Sequence, residues 1–313
     1  MTDVTFSSMG SDARLLFTRA DPEAARAFLV AFERRLTRFD AASELCALNR
    51  SPRDAVPASP LLRRAVRVGV WAAERSGGLV DPTLLAPLRA VGYDRDRRRA
   101  ELPLHEALLE APARAAARPD PSARWRDIAV DDAAGVIRRP SGVEFDTGGT
   151  GKGLAADLVA TLVGDDDRFA IDCGGDLRVG GPGALVQPFD VDVRHPLTGE
   201  VAHTLQITAG GVATSGLDVR LWRDASARPA HHLLDPSTGR PAWTGLVGAT
   251  ALAPTALEAE VLAKTALLAG PRRGPRVLAR HGGLLVRDDG EVELAGCLKP
   301  RVVVRFSREA LAA

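Results

Sequence analysis

Residues 146–154 read Asp146-Thr147-Gly148-Gly149-Thr150-Gly151-Lys152-Gly153-Leu154, between the strand-like Gly142–Phe145 and a helical pattern that starts at Ala155. Four glycines in the six positions 148–153 leave the backbone without side-chain cover. Such a loop at the start of a helix points unpaired N–H groups and the positive end of the helix dipole at one place, which suits a phosphate. The spacing differs from a Walker loop, which needs Ser or Thr where this chain has Gly153, and from the Rossmann fingerprint. Taken alone, the loop is explained as well by a structural tight turn.

A second glycine turn follows about one helix downstream. It lies within Phe169-Ala170-Ile171-Asp172-Cys173-Gly174-Gly175-Asp176-Leu177. The order of strand, glycine loop, helix, strand and glycine loop predicts that the two loops lie at the same edge of a sheet.

The remaining pattern mixes helices and strands. Capping and spacing predict helices over Asp21–Phe39, with Ala24, Phe28, Phe32, Leu36 and Phe39 on one face, over Leu61–Arg75, and from Ala256 onward. Strands are predicted over 125–136, 143–145 and 282–306, with a hairpin over 186–207, while residues 95–126 have no clear pattern. Because these elements do not alternate strictly, we expect an α+β fold of helices on an antiparallel sheet, in one domain over residues 1–313.

The composition is that of a globular enzyme without a polyanionic partner. A net charge of +1 gives no electrostatic reason to expect binding of nucleic acid or of an anionic membrane. Cys46, Cys173 and Cys297 are widely spaced, which predicts reduced thiols or small buried residues. The first residues lack a signal-peptide pattern, and no apolar run reaches the roughly 18 residues of a membrane span. We therefore expect a cytoplasmic protein with no membrane anchor, and the Arg-rich composition is typical of a GC-rich bacterial genome.

Several further motifs occur in a fixed order along the chain. They are Phe39–Leu45, Gly78–Thr83, the two glycine loops, Val212–Gly216 and His231–Pro241. With these motifs the chain resembles the ApbE family of flavin transferases, which move FMN from FAD onto a hydroxyl group of a protein. The resemblance implies a fold with the FAD site between two subdomains. It also implies Mg²⁺-dependent transfer of FMN to a Thr or Ser hydroxyl of an acceptor flavoprotein, with release of AMP.

The resemblance also implies roles for individual residues. His232 matches the histidine of the motif His-x-x-Asp-Pro-x-x-Gly, and a neutral imidazole can accept the proton of an attacking hydroxyl. Phe39 either stacks on the flavin or packs in the core, and Asp81 either bonds to the ligand or builds the turn before Pro82. The positions implied to contact FAD are Met9, Phe39, Leu79, Val80, Asp81, Gly148, Leu154 and Leu234.

The implied metal site departs from the family pattern. A backbone carbonyl at Gly151 matches, but Glu260 and Lys264 stand where the family has Asp and Thr, four residues apart on one helix face. Three outcomes are open: Mg²⁺ is kept with Glu260 and Gly151, Lys264 displaces it, or the chain holds flavin without transferring it. The alternatives to transfer are thus a non-catalytic flavin-binding protein or an FAD pyrophosphatase of the same family, with an unrelated nucleotide hydrolase as a third.

Overall fold

The computed structural model describes residues 1–164, 168–296, 298 and 303–304. Over these residues the helices are α1 (Pro22–Leu36), α2 (Glu44–Arg50), α3 (Pro60–Arg75), α4 (Leu85–Ala90), α5 (Leu104–Glu110), α6 (Gly151–Val163), α7 (Pro182–Val186) and α8 (Ala256–Leu278), with a 3-10 turn at Arg124–Asp127. The strands are β1 (Thr2–Ser8), β2 (Ser11–Phe17), β3 (Ala55–Pro57), β4 (Ala129–Asp131), β5 (Val136–Arg138), β6 (Phe169–Cys173), β7 (Asp176–Gly180), β8 (Phe189–Arg194), β9 (Val201–Ile207), β10 (Gly210–Gly216), β11 (Leu221–Arg223), β12 (Pro229–His231), β13 (Leu234–Asp235), β14 (Arg240–Pro241), β15 (Leu246–Ala253), β16 (Gly283–Arg287), β17 (Val292–Ala295) and β18 (Val303–Val304).

The main sheet has the strand order β1-β2-β6-β7-β10-β15-β16-β17. Each neighbouring pair in it is antiparallel. Helix α6 packs against β6 and β7, α8 packs against β10, β15 and β16, and the two helices contact each other. The expected α+β fold with an antiparallel sheet is confirmed.

The first helix begins where the sequence predicts. The Asp21 side chain accepts a hydrogen bond from the Glu23 N–H, and Pro22 takes the first helical position. The helix ends at Leu36, three residues earlier than predicted. The predicted apolar face is wrong at two positions, since Ala24 and Phe39 are exposed and the buried set is Ala25, Leu29, Phe32 and Leu36. The helix predicted over Leu61–Arg75 is confirmed as α3.

The segment before the glycine loop is not a strand, which corrects the prediction for Gly142–Phe145. The side chain of Asn49 takes the place of a strand partner there. Its Oδ1 accepts from the Phe145 N–H, and its Nδ2 donates to the Phe145 carbonyl, both at 2.8 Å. Asn49 lies on α2, a helix the sequence analysis did not predict, so the loop is held by a helix about 100 residues earlier.

Other predicted strands are shorter than expected. Residues 125–136 contain the 3-10 turn and β4, and β5 begins only at Val136. The hairpin is confirmed as β8 and β9, and the start of the final strand region is confirmed as β16 and β17. Much of 297–306, including Cys297, lies outside the described residues, whereas Cys46 and Cys173 are free thiols as predicted. Within the described ranges, no helix is both long and apolar enough to cross a bilayer.

Candidate active site

A cavity of about 370 Å³ opens where the two larger hydrophobic clusters of the protein meet. Leu36 lines it from one cluster, and Leu268 lines it from the other. Its volume lies within the range of small-molecule sites. Its walls come from residues 9–11, the end of α1, residues 79–81, the glycine loop, residues 214–216, residues 232–234 and one face of α8.

The glycine loop borders this cavity, but part of its hydrogen-bonding capacity is already used. The Gly151 N–H donates to the Thr147 carbonyl at 2.8 Å, and the Gly153 N–H donates to Glu260 Oε2 at 2.9 Å. The expectation of a loop rich in unpaired donors is therefore wrong at these two positions. Positive charge at this wall comes instead from the side chains of Lys152 and Lys264.

Gly153 explains the departure from a Walker loop. A Cβ at this position would lie 2.7 Å from the Ala256 carbonyl oxygen and 2.7 Å from Leu257 Cα. The start of α8 therefore passes so close to α6 that a Ser or Thr side chain does not fit. This close approach brings Glu260 of α8 within reach of the backbone of α6.

Two buried ion pairs lie behind the loop. Lys152 Nζ is 2.7 Å from Asp176 Oδ2 and donates to the Gly174 carbonyl at 2.9 Å, so it ties the two glycine loops together. Lys264 Nζ donates to Glu260 Oε1 at 2.8 Å. Asp176 and Glu260 are almost fully buried, whereas both lysines line the cavity. The pairs thus present their ammonium groups, rather than their carboxylates, to the cavity.

The protonation of the Lys152–Asp176 pair follows from its burial and from the charges around it. Burial raises the pKa of Asp176 to about 6, against the opposing effect of Lys152. Burial acts to lower the pKa of Lys152, but the carboxylates of Asp176 and Glu260 outweigh it, so that pKa is raised. Lys152 is therefore a permanent cation at neutral pH.

The residues expected to hold Mg²⁺ do not fit a cation there. Both carboxylate oxygens of Glu260 already accept hydrogen bonds, one from Lys264 and one from Gly153. A divalent ion about 4 Å from an ammonium group would be repelled by roughly 8 kcal/mol at an effective dielectric constant of ~20. Within the described part of the chain, no group of three or more His, Cys, Asp or Glu residues is arranged to bind a metal.

His232 lines the cavity as a half-buried, neutral imidazole. Burial holds its pKa well below the ordinary value, and the nearby Arg220, His231, Lys264 and Lys152 lower it further. Among the described residues, nothing hydrogen-bonds its Nδ1 atom. A neutral imidazole keeps a lone pair on one ring nitrogen, and it can therefore act as a proton acceptor at this wall.

An aromatic group stands beside His232. The Tyr93 ring lies 6.2 Å from the His232 ring, stacks on Trp222 at 5.3 Å, and meets Phe39 edge to face at 5.8 Å. The Arg38 guanidinium lies 4.3 Å from the ring centroids of both Phe39 and Tyr93. Phe39 is therefore on the cavity wall, not in the core, and offers a face for a planar ring.

Asp81 builds the predicted turn before Pro82 and also lies at the cavity wall, whereas its contact with a ligand stays a prediction. Its Oδ1 accepts from the Thr83 N–H at 2.7 Å and from the Thr83 hydroxyl at 2.6 Å, which builds the turn. Its Oδ2 is buried and, within the described structure, has no hydrogen-bond partner, although the residue lines the cavity. Burial raises the pKa of this carboxyl group. A donor on a ligand would satisfy the free oxygen.

The structure brings most of the residues singled out from the sequence to this cavity. Those lining it are Met9, Phe39, Leu79, Val80, Asp81, Gly148, Gly151, His232, Leu234 and Lys264. Leu154 is different, since it is buried in the core with α1 and β2, and Glu260 lies behind Lys264.

The sequence analysis missed Arg38, Tyr93, Arg220 and the pairing of Lys152 with Asp176. A signal existed for Tyr93, which is the sole tyrosine of the chain and directly follows a glycine. No local pattern pointed to the other residues.

Comparison with known proteins gives a consistent result. A model of the ApbE family matches residues 6–286. A FAD:protein FMN transferase of Salmonella typhimurium is 28% identical over 229 residues, which are 71% of this chain and 62% of that protein. A protein of the same name from Treponema pallidum is 29% identical over 266 residues, or 79% of this chain and 70% of that protein. The match thus spans somewhat less than two thirds of the Salmonella relative.

Solved structures share the fold. An ApbE protein from Thermotoga maritima superposes with a TM-score of 0.77 at 24% identity, over 94% of this chain and 96% of that one. The flavinyl transferase ApbE from Pseudomonas stutzeri, in its apo form, superposes with a TM-score of 0.72 at 20% identity, over 94% of each chain.

Proposed function

The chain belongs to the ApbE family, and from this premise we propose that it is a FAD:protein FMN transferase. The observation that carries the proposal is the convergence on one cavity of a neutral imidazole, two paired lysines and an aromatic wall. The names of the Salmonella and Treponema relatives support the same activity. FAD is the substrate that unites these features, because it joins planar rings to a diphosphate.

In the proposed reaction, the oxygen of an acceptor hydroxyl attacks the phosphorus of the FMN half of FAD. A new phosphoester bond forms as the bond between that phosphorus and the bridging oxygen breaks. AMP leaves, and His232 takes the proton of the attacking hydroxyl. General base catalysis of this kind contributes about 10²- to 10⁴-fold to the rate.

Lys152, Lys264 and Arg220 are the cations available to the diphosphate. All three line the cavity, and the first two are held in place by buried carboxylates. Fixed cations stabilise the negative charge that develops as the phosphate link breaks, without having to reorganise. Phe39 and Tyr93 are proposed to hold the flavin ring.

The proposed mechanism does not use the magnesium ion that the family resemblance implies. The described side chains do not fit it, since both Glu260 oxygens are engaged and Lys264 lies beside them. No step is therefore assigned to a metal.

A direct assay tests the transfer. The protein is incubated with FAD and fractionated proteins of a bacterial lysate, AMP is measured by chromatography, and covalent flavin is detected by fluorescence on a denaturing gel. We expect AMP and labelled protein in equal amounts, and both to form about 10²- to 10⁴-fold more slowly with the His232→Asn variant.

The two alternatives within the family give different results in the same assay. A FAD pyrophosphatase releases AMP together with free FMN, and a non-catalytic flavin-binding protein retains FAD and releases no AMP. The Thr or Ser target, the cytoplasmic location and the bacterial source stay predictions. Mapping of the flavinylated residue by mass spectrometry and cell fractionation would check the first two.

A further inference from the structure

We infer that Lys264 supplies, as an ammonium group fixed to the protein, the positive charge that a divalent cation would otherwise bring to the diphosphate. The inference rests on the proposed FAD site but goes beyond it, because it states which group of the protein neutralises the negative charge of the diphosphate.

The position of Lys264 fits this role. Its side chain lines the cavity, and one of its three N–H bonds is used by Glu260 Oε1 at 2.8 Å. The helix repeat places Lys264 one turn after Glu260, so both side chains lie on the same face of α8. The ammonium group therefore keeps donors for a ligand while it is held by the carboxylate.

Glu260 is held too firmly to leave this pair for a metal. It is fully buried, and its second oxygen accepts from the Gly153 N–H at 2.9 Å. Gly153 in turn is fixed by the close passage of the α8 backbone. Binding of a metal would cost one of these two contacts and leave a buried charge without its partner.

The charges around Lys264 are otherwise nearly matched. Lys152 pairs with Asp176, and Arg38 lies 3.5 Å from Asp146. Arg220 also lines the cavity, and among the described residues its Nε has no hydrogen-bond partner. The acidic side chains on the wall are Glu33, Asp81, Asp96 and Asp146. Lys264 and Arg220 thus keep donors for phosphate oxygens. Lys152 has one N–H left beyond its contacts with Asp176 and Gly174, and Arg38 Nη2 has no hydrogen-bond partner among the described residues.

The test measures binding rather than turnover. FAD and ADP are titrated into the protein by isothermal calorimetry, in EDTA and in 5 mM MgCl₂. For the natural protein we expect dissociation constants that agree within about twofold between the two buffers. The neutral pair Glu260→Gln with Lys264→Met keeps an acceptor for Gly153 and should weaken both ligands at least tenfold in EDTA. Arg114→Met breaks a remote ion pair with Asp288 and serves as the matched control, with unchanged binding.

A second variant restores the Asp and Thr that the family has at these two positions, in place of Glu260 and Lys264. Glu260→Asp with Lys264→Thr should bind Mn²⁺ alone, seen by electron paramagnetic resonance, and should bind FAD at least tenfold more tightly with MgCl₂ than in EDTA. The natural protein should bind no Mn²⁺ under the same conditions.

Two results would overturn the inference while leaving the proposed function intact: binding of FAD by the natural protein that needs Mg²⁺, or unchanged binding in the neutral-pair variant. Failure of the natural protein to bind FAD in either buffer would refute the proposed function and the inference together.

Discussion

The close approach of helices α6 and α8 at Gly153 predicts a large effect of a single methyl group there. In Gly153→Ala the new Cβ would lie 2.7 Å from backbone atoms of both Ala256 and Leu257, which have no flexible side chain to move aside. To restore ordinary contact, the helices must separate by about 0.7 Å, a case of core overpacking. The Gly153 hydrogen bond to Glu260, now 2.9 Å, would lengthen to about 3.6 Å and be lost.

The magnitude follows from these two effects. Overpacking costs about 1–3 kcal/mol, and loss of a hydrogen bond to a charged group costs about 1.5–3 kcal/mol. The higher helix propensity of alanine returns at most ~1 kcal/mol. We expect the free energy of unfolding to fall by about 1.5–5 kcal/mol, measured by urea denaturation followed by circular dichroism.

Gly151→Ala is the matched control, because it adds the same methyl group to the same helical turn. Its nearest neighbour would be Thr147 Cβ at 3.7 Å, an ordinary contact. We expect its unfolding free energy to stay unchanged or to rise by up to ~1 kcal/mol, because alanine has the higher helix propensity. Equal losses in the two variants, or a loss below ~1 kcal/mol in Gly153→Ala, would refute the packing argument.

Three further predictions concern the cavity and its surroundings. His232→Gln should slow FMN transfer by about 10²- to 10⁴-fold while the dissociation constant of FAD changes less than threefold, as measured by flavin fluorescence; full activity would exclude His232 as the base. Tyr93→Leu should weaken FAD binding by several-fold to about tenfold, the worth of one aromatic contact, whereas the exposed Leu109→Ala should not. Burial lowers the pKa of His231 to about 3, so below its unfolded value of about 6.5 only the unfolded chain gains the proton. As the pH is lowered from about 6.5 to 3, the free energy of unfolding should thus decrease by up to ~1.4 kcal/mol per pH unit from this group. Urea titrations at pH 7 and pH 5 should therefore show a smaller decrease for His231→Gln than for the natural protein.

The sequence alone determined the elements that depend on near neighbours. The cap formed by Asp21 and Pro22 and the hairpin of β8 and β9 follow from residues a few positions apart. The sequence also predicts helix α6, although this helix begins at Gly151, inside the glycine loop, and not at Ala155. The ordered motifs also identified most of the cavity wall, including Asp81 and His232. Such features are predictable because caps, turns and periodic faces are encoded locally.

Only the tertiary structure decided which polar side chains bond to which backbone groups across long distances in the chain. Asn49 replaces a strand partner for Phe145, 96 residues away, and Glu260 takes the N–H of Gly153, 107 residues away. Neither contact leaves a periodic trace, because each depends on how closely two helices or loops approach after packing. Glu260 and Lys264 lie one turn apart on α8, so the helix repeat alone brings them together, but the same approach buries the pair beside α6. The sequence shows that this pair is unusual for the family, but its burial and its contact with α6 arise from the packing of α8 on α6.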